Sequence, residues 1–156
     1  MKLYLITVGN RMPAWVNAGF EEYAKRMPRE ARITLLEIKP EKRDGGKSTE
    51  QILSAEAVRI QAGLPANAHV IVLDERGSAI STKELANWVG KLMTEGCDVA
   101  FIIGSADGLH PQIKQRAHRS LSLSALTLPH GLARVLLVEQ LYRAISLLHN
   151  HPYHRE

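Results

Sequence analysis

The end of the chain places three side chains in succession that can act on a nucleic-acid base: Tyr153, His154 and Arg155. An aromatic ring can stack on a base, while an imidazole and a guanidinium can hydrogen-bond its edge or neutralise an anion. Neighbouring histidines also suit a metal ion. Because Pro152 interrupts a helix there, and no cysteine pair or second ligand cluster accompanies them, we expect no metal site. A polar tail without fixed structure is the alternative interpretation.

Two segments before the tail have the composition of a ligand cradle. In Gly104–Gly108 (GSADG), two glycines let the backbone approach a ligand closely and expose amide groups. Leu123–His130 (LSALTLPH) is apolar with a few hydroxyls, so its backbone can hydrogen-bond an adenine edge while leucines sandwich the ring. The alternatives are a plain strand-to-helix turn for the first segment and a buried strand and turn for the second.

The sequence patterns for phosphate binding are missing. The chain has no G-x-x-x-x-G-K-[ST] pattern, and no G-x-G-x-x-G follows any apolar run. Both patterns cradle phosphates with backbone amides. Their absence argues against a nucleoside triphosphatase and against an ordinary dinucleotide site.

A long helix, from about Leu132 to Leu148, is predicted with apolar residues nearly all round. Such a helix is buried on most faces, and an outer helix in a small domain leaves one face bare, which favours a dimer interface. Arg134 and Arg143 interrupt the apolar surface, and we expect them to contact an anionic ligand or the partner subunit. A solvated i, i+4 pair of Glu139 with Arg143 is the alternative.

Alternating strands and helices must position these segments. Apolar runs predict strands at Leu3–Val8, Ile33–Ile38, Val70–Leu73, Val99–Ile103 and Leu121–Leu123. Helical patterns predict helices at about 13–27, 48–62, 81–95, 111–118 and 132–148. Apolar runs without polar alternation indicate an α/β fold, with a parallel sheet covered by helices on both faces. Ligands of such sheets bind at the carboxyl ends of strands, here Leu73–Gly77, Gly104–Gly108 and Ser124–His130.

Length and composition are those of one globular domain, residues 1–156. Of the 156 residues, 45% are hydrophobic and 23% are charged, which are ordinary values. The single cysteine, Cys97, can form no internal disulfide. No apolar run approaches the ~18 residues of a membrane span, and the first residues predict a strand and not a signal peptide. We therefore expect a cytoplasmic protein that makes no membrane contact.

The charge distribution favours an anionic partner that touches both ends of the chain. Twenty Lys and Arg against sixteen Asp and Glu give a net charge of +4. Residues 1–50 carry ten basic and seven acidic groups, residues 101–156 carry six and three, and the middle is slightly acidic. The most polar segment, Lys39–Lys47, contains a Gly-Gly pair and predicts a mobile basic loop.

The chain resembles one family over its whole length. Thr127–Ala144 (TLPHGLARVLLVEQLYRA) and Pro152–Arg155 (PYHR) form a long, specific pattern. This pattern is similar to that of the bacterial large-subunit pseudouridine N3-methyltransferases of the SPOUT superfamily. The MKLYLITVG start, Val72–Gly77 (VLDERG) and Phe101–Gly104 (FIIG) agree with it. One departure is Ser105, where the family usually has glycine, so that a Cβ is added near the cofactor.

The resemblance implies a fold, a cofactor and partners. The fold would be an α/β trefoil knot with the C-terminal stretch threaded through a loop, and the family works as a homodimer. The substrate would be a pseudouridine in helix 69 of 23S rRNA, within the assembled ribosome. S-adenosylmethionine would bind in the knot at Leu73, Gly104, Leu123, Ser124, Ala125, Leu126, Thr127 and Leu128.

The resemblance also implies roles for single side chains. Methylation at N3 requires removal of the N3 proton. Arg155 and His154 would orient the base and stabilise its anion, with Tyr153 and His130 as further catalytic candidates, and the identity of the base stays open. The expected RNA contacts are Lys42, Arg43, Arg134 and Arg143.

Three other functions stay open. The first is another SPOUT methyltransferase, acting on tRNA or on a ribose 2′-oxygen, against which the PYHR tail argues. The second is a non-catalytic, ribosome-associated RNA-binding factor, which would need no cofactor. The third is a small flavodoxin-like nucleotide-binding regulator, which would need a glycine-rich loop after an early strand that this sequence lacks.

Overall fold

Five parallel strands form one sheet in the computed structural model, which describes residues 1–154 and, at His154, the backbone alone. The strands are β1 (Leu3–Val8), β2 (Ile33–Ile38), β3 (His69–Ala79), β4 (Val99–Ile103) and β5 (Arg119–Ser122). Their order across the sheet is β2-β1-β4-β3-β5, and every neighbouring pair is parallel. The bounds of β1, β2 and β4 are those that the apolar runs predict.

Helices connect the strands and follow the last one. They are α1 (Ala14–Ala24), α2 (Thr49–Gly63), α3 (Thr82–Glu95), α4 (Pro111–Arg116) and α5 (His130–Leu148), with short 3₁₀ turns at Arg29–Ala31 and Pro152–His154. Capping boxes begin α2 and α3: Ser48 Oγ and Ser81 Oγ each accept the backbone N–H three residues on. Gly96, in the left-handed region at φ 71°, ends α3.

The helices cover both faces of the sheet. On one face α1, α3 and α5 pack on inward side chains such as Leu5 and Phe101. On the other face α2 and α4 pack on the alternate residues, such as Ile6 and Ile102. The predicted α/β fold with two helical layers is therefore confirmed, while the knot stays a prediction. Within the described residues, no helix is long and apolar enough to cross a bilayer.

β3 continues further than the sequence predicts. Asp74–Gly77, which the sequence indicates as a loop, lies inside the strand. The strand bulges there, since Leu73 and Ser78 both lie opposite Leu121 of β5. The polar residues of a bulge resemble a turn in sequence, which explains the difference. The bulge places Asp74 and the two residues after it beside the cavity described below.

α5 separates the predicted catalytic residues into two groups. His130 begins this helix and lies 3.1 Å from the Gly104 carbonyl at the end of β4. Tyr153 folds back onto the helix, where its hydroxyl donates to Glu139 Oε1 at 3.0 Å. Glu139 follows His130 by nine residues, which is about 14 Å along the axis and two and a half turns. Within one chain, His130 and Tyr153 therefore lie on opposite sides of α5.

Two glycines near the cavity leave no space for a side chain. A Cβ at Gly77 would lie 2.7 Å from the carbonyl carbon of Leu121, and one at Gly104 would lie 2.5 Å from the Gly108 carbonyl oxygen. We expect Gly77→Ala and Gly104→Ala each to lower the free energy of unfolding by about 1–3 kcal/mol, because overpacking forces the backbone to shift. Denaturant titration followed by circular dichroism measures this loss.

Gly63→Ala is the matched control. The nearest atom to its added Cβ is Ile38 Cδ1 at an ordinary 3.7 Å, and the residue lies in the last turn of α2. We expect stability to stay constant or to rise by up to about 1 kcal/mol, since alanine favours helix over glycine. Equal losses in all three variants would contradict the steric argument.

Candidate functional site

A cavity of about 700 Å³ opens at the carboxyl ends of β3, β4 and β5, beside the first turn of α5. Its wall is formed by residues of the segments 73–76, 103–109 and 121–130, together with Lys114 and Ala133. Small-molecule sites commonly occupy roughly 300–1,000 Å³. The three segments after late strands, which the sequence predicts as the site, are thus brought together around one space.

The predicted cofactor residues line this cavity, with one exception. Those in the wall are Leu73, Gly104, Leu123, Ser124, Leu126, Thr127 and Leu128. The exception is Ala125, which is exposed. It lies at the tip of a turn in which the Leu126 N–H donates to Ser124 Oγ at 2.9 Å, so the chain points its flanking residues, and not Ala125, toward the cavity.

Charged side chains of both signs also line the cavity, and apart from Lys114 they lie in segments that the sequence predicts as the site. Asp74 Oδ1 accepts the Arg76 N–H at 3.0 Å, and Asp74 Oδ2 pairs with Lys114 at 3.1 Å. The backbone hydrogen bond and the lysine hold the pKa of Asp74 below its ordinary value. Glu75, Arg76 and Asp107 also line the cavity. Within residues 1–154, no three His, Cys, Asp or Glu side chains are grouped to hold a metal ion.

His130 lies in the cavity wall with both ring nitrogens in contact. Nδ1 is 3.1 Å from the Gly104 carbonyl oxygen, and Nε2 is 3.2 Å from Arg134 Nη2. Burial lowers the pKa of His130 below its ordinary value, and the guanidinium of Arg134 lowers it further. The imidazole is therefore neutral at neutral pH, with both nitrogens already engaged.

Arg134 lies in the interior, although the sequence predicts it as an RNA contact. Its side chain has no exposed surface. Nη2 donates to Thr7 Oγ1 at 2.9 Å and to the Gly9 carbonyl at 3.3 Å, and Nη1 pairs with Glu37 at 3.1 Å. Complete burial of the Arg134 side chain does not fit a contact with RNA.

The loop that precedes α2 is anchored to the cavity wall, whereas the sequence predicts a mobile segment. Arg43 Nε pairs with Asp107 at 2.8 Å, and Arg43 Nη2 donates to Ser105 Oγ at 2.9 Å. Ser105 Oγ in turn donates to Glu56 Oε1 at 2.8 Å, and Glu56 is almost completely buried. Ser105 therefore joins α2, the basic loop and the cavity wall. Lys42, next to Arg43, is exposed.

The tail residues that the structure describes lie outside the cavity wall. The Tyr153 ring packs on Tyr142 with centroids 4.7 Å apart, and the Arg143 guanidinium lies 5.0 Å from its centroid. Burial raises the pKa of the Tyr153 phenol, and hydrogen bonding with Tyr23 and Glu139 raises it further. Arg143 also pairs with Glu139 at 2.8 Å, as the i, i+4 spacing predicts. Arg155 and the His154 side chain lie outside the described part of the chain.

Comparison with known proteins identifies close relatives. A family profile described as "Predicted SPOUT methyltransferase" matches residues 1–154. The chain is 61% identical over 155 residues to "Ribosomal RNA large subunit methyltransferase H" of Nitrosospira multiformis, covering 99% of each chain. Proteins with the same name from Nitrosomonas eutropha and Burkholderia thailandensis are 58% and 56% identical over the same share of both chains.

Solved structures share the fold at low sequence identity. The "Probable Methyltransferase from Bordetella pertussis Tohama I" superposes with a TM-score of 0.58 at 16% identity, covering 92% of this chain and 93% of that one. A "probable methylase family protein" from Haemophilus influenzae superposes with a TM-score of 0.55 at 20% identity, over 96% of this chain and 66% of that one. At these identities the likeness supports the fold alone.

We predict that the Ser105 hydroxyl contributes measurably to the stability of the fold. Ser105→Ala removes the donor to buried Glu56 and the acceptor from Arg43. We expect the free energy of unfolding to fall by about 1–2 kcal/mol, because a buried carboxylate oxygen loses its partner. Denaturant titration at pH 7 measures the change.

A double-mutant cycle with Glu56→Gln separates the Ser105–Glu56 hydrogen bond from other effects. The loss of unfolding free energy caused by Ser105→Ala should be smaller when Glu56→Gln has already removed the carboxylate. Ser78→Ala is the control, because Ser78 is an exposed serine of β3, and such a change is expected to stay within about 0.5 kcal/mol. An additive cycle would show that the Ser105–Glu56 bond contributes nothing.

Proposed function

The chain belongs to the SPOUT methyltransferase family, and on that premise we propose that it transfers a methyl group from S-adenosylmethionine to ribosomal RNA of the large subunit. The observation that carries the proposal is the cavity, in which predicted cofactor residues from three segments meet. Relatives named as large-subunit rRNA methyltransferases, matching 99% of the chain, support the substrate class. The proposed target is N3 of a pseudouridine in helix 69 of 23S rRNA, on the assembled ribosome.

The cavity fits a ligand that combines an adenine ring with a zwitterionic amino acid. Leu73, Leu123 and Leu128 supply apolar wall for a ring, and the adjoining backbone supplies donors and acceptors for its edge. Asp74 and Lys114 place a carboxylate and an ammonium in the same wall, which suits the opposite charges of an amino-acid end. S-adenosylmethionine has this combination, and it supplies an electrophilic methyl group.

The chain's own residues must align the base and allow its N3 proton to be removed. Alignment in a water-poor cavity accelerates an in-line transfer by fixing the approach of the two reactants. We propose that Arg155 and His154 orient the base and stabilise its anion, with a tail group or water accepting the proton. Tyr153 suits a donor and not an acceptor, because its raised pKa keeps the phenol protonated and its hydroxyl donates to Glu139.

The tail has to reach a cavity on another copy of the chain. Tyr153 is held against the side of α5 opposite His130, and it is absent from the residues that line the cavity. The catalytic candidates His154 and Arg155 follow Tyr153 directly, and two residues are too few to pass around a helix about 10 Å in diameter and cover about 14 Å along its axis. We therefore propose a homodimer in which each tail completes the partner subunit's site.

Exposed apolar side chains near the cavity support the dimer. Trp15 and Leu132 are 57% and 41% exposed, and they lie in the first turns of α1 and α5. These turns pack closely, since a Cβ at Gly131 would lie 2.8 Å from Val16 Cγ2. Leu126, in the cavity loop, is 76% exposed. A partner that covers these side chains would also bring a second tail to this end of the molecule.

The proposed RNA contacts are the cations that remain accessible. Lys42 is exposed, and Arg43 keeps 37% of its side chain exposed although it pairs with Asp107. Arg143 is half-buried against Tyr153 and Glu139. Two copies of a chain with net charge +4 would attract the RNA backbone over a wide surface. A ribosomal substrate places the protein in the cytoplasm.

A methyl-transfer assay tests the proposed function. With labelled S-adenosylmethionine, we expect incorporation into 23S rRNA of intact ribosomes, and less into free large subunits or naked rRNA. Mapping the label should place it on N3 of a helix 69 pseudouridine. Label in tRNA or on a ribose would indicate a different SPOUT activity. Ribosome binding without cofactor binding, measured by calorimetry, would indicate a non-catalytic factor.

Mixed dimers test whether the tail acts on the partner's cavity. One chain ends after Asn150, and the other carries Thr127→Trp, which fills the cavity while its tail stays intact. We expect each homodimer to lose at least about 100-fold in turnover, the contribution of positioned acid–base groups. The mixed dimer should regain about half of wild-type activity, because one of its two sites is complete.

Calorimetry first confirms that Thr127→Trp blocks cofactor binding and that truncation does not. A mixed dimer as inactive as both parents would show that the tail serves its own subunit. Full turnover by the truncated homodimer would show that the tail has no catalytic role.

A further inference from the structure

Both ring nitrogens of His130 face groups whose hydrogen-bonding role cannot change. Gly104 presents a carbonyl oxygen, which only accepts, at 3.1 Å from Nδ1. Arg134 presents a guanidinium nitrogen, which only donates, at 3.2 Å from Nε2. One protonation state satisfies both contacts: Nδ1 carries the proton and donates to Gly104, while Nε2 is bare and accepts from Arg134. The two hydrogens of Arg134 Nη2 are then shared among Thr7 Oγ1, the Gly9 carbonyl and His130 Nε2.

We propose that Arg134 and His130 are positioning residues of the cofactor site: Arg134 holds His130 as its neutral Nδ1–H tautomer, and His130 thereby holds the Gly104 carbonyl in the cavity wall. This inference rests on the proposed function for the identity of the cofactor. It removes His130 from the candidates for the general base, because Nε2 is occupied by a donor and Nδ1 already carries a proton.

The contacts of Arg134 fix the orientation of its guanidinium, and its burial does not remove its charge. The guanidinium has no exposed surface and is oriented by Thr7 Oγ1, the Gly9 carbonyl and the Glu37 carboxylate. A buried guanidinium keeps its charge, since arginine does not lose its proton in proteins. A second proton on His130 would place an Nε2–H against an Nη2–H, and the two positive groups would repel each other.

Gly104 is a position where a small displacement has a large effect on the cavity. A Cβ there would lie 2.5 Å from the Gly108 carbonyl oxygen, so the loop folds back on itself without spare space. Because a peptide unit is planar, fixing the Gly104 carbonyl also fixes the direction of the Ser105 N–H. His130 therefore determines how this part of the backbone is presented to a ligand.

Nitrogen NMR of the unliganded protein tests the tautomer without any assay of activity. The shifts of the two ring nitrogens distinguish a protonated from a bare nitrogen, and the His130 signals are identified by their loss in His130→Asn. We expect a protonated Nδ1 and a bare Nε2 at pH 7.5. A protonated Nε2, or an imidazolium, would overturn the inference, whatever the protein's substrate proves to be.

Two substitutions of His130 test the positioning role. The asparagine amide lies three bonds from Cα, as Nδ1 does, so His130→Asn can still donate to the Gly104 carbonyl. The glutamine amide lies four bonds away, as Nε2 does, so His130→Gln can contact Arg134 but not Gly104. We expect the dissociation constant for S-adenosylmethionine to rise by about threefold or less in His130→Asn and about tenfold or more in His130→Gln, roughly one lost hydrogen bond.

The turnover number separates positioning from proton transfer. At saturating cofactor, we expect the loss in turnover to be smaller in His130→Asn than in His130→Gln and to follow the loss in cofactor affinity. Removal of a general base would instead lower turnover by at least about 100-fold in both variants, with cofactor affinity unchanged. That second pattern would overturn the inference, as would equal weakening of cofactor binding in both. Absence of S-adenosylmethionine binding by the wild-type protein would instead overturn the proposed function, and the NMR result would still decide the tautomer.

Discussion

A guanidinium without exposed surface is tolerated only where most of its donors find acceptors. Both terminal nitrogens of Arg134 find them on three elements, while its Nε has no partner among the described residues. Thr7 belongs to β1, Glu37 belongs to β2, and His130 lies one turn away on α5. Breaking one side of such an arrangement leaves a buried charge unpaired, which costs far more than the net value of the pair. The interaction therefore constrains how α5 sits over the carboxyl ends of the strands, and the cavity and the dimer contacts both depend on that placement.

α5 also underlies the proposal that each site needs two copies of the chain. The helix begins in the cavity wall with His130, while Tyr153 packs against Glu139 on its opposite side. A helix is a rigid spacer at this length, so His130 and Tyr153 stay apart within one subunit. The exposed Trp15 and Leu132 lie where a second copy could bury them. The proposed dimer thus follows from the same helix that separates the residues.

The sequence predicts the parts of this molecule that depend on local patterns. Apolar runs give β1, β2 and β4 with their observed bounds, and the rule on strand ends identifies the segments of the cavity. Prediction from the sequence fails where contacts between residues far apart in the chain determine the structure. The bulge in β3 is set by its pairing with Leu121, and the burial of Arg134 depends on acceptors about a hundred residues away in the chain. No local signal marks Lys114 as a cavity residue. The anchoring of Arg43 by Ser105 depends on two loops meeting.

Two adjacent residues of the cavity loop are held from opposite layers of the fold. The Gly104 carbonyl contacts His130 of α5 on one face of the sheet, and the Ser105 hydroxyl bonds Glu56 of α2 on the other. Because the intervening peptide is planar, the loop cannot turn toward one layer without stretching its bond to the other. The backbone at the end of β4 is therefore fixed before any ligand arrives, and such preorganisation reduces the ordering that binding would otherwise require. A glycine at position 105 would keep only the first of these two bonds, so the serine hydroxyl adds a second restraint to the loop.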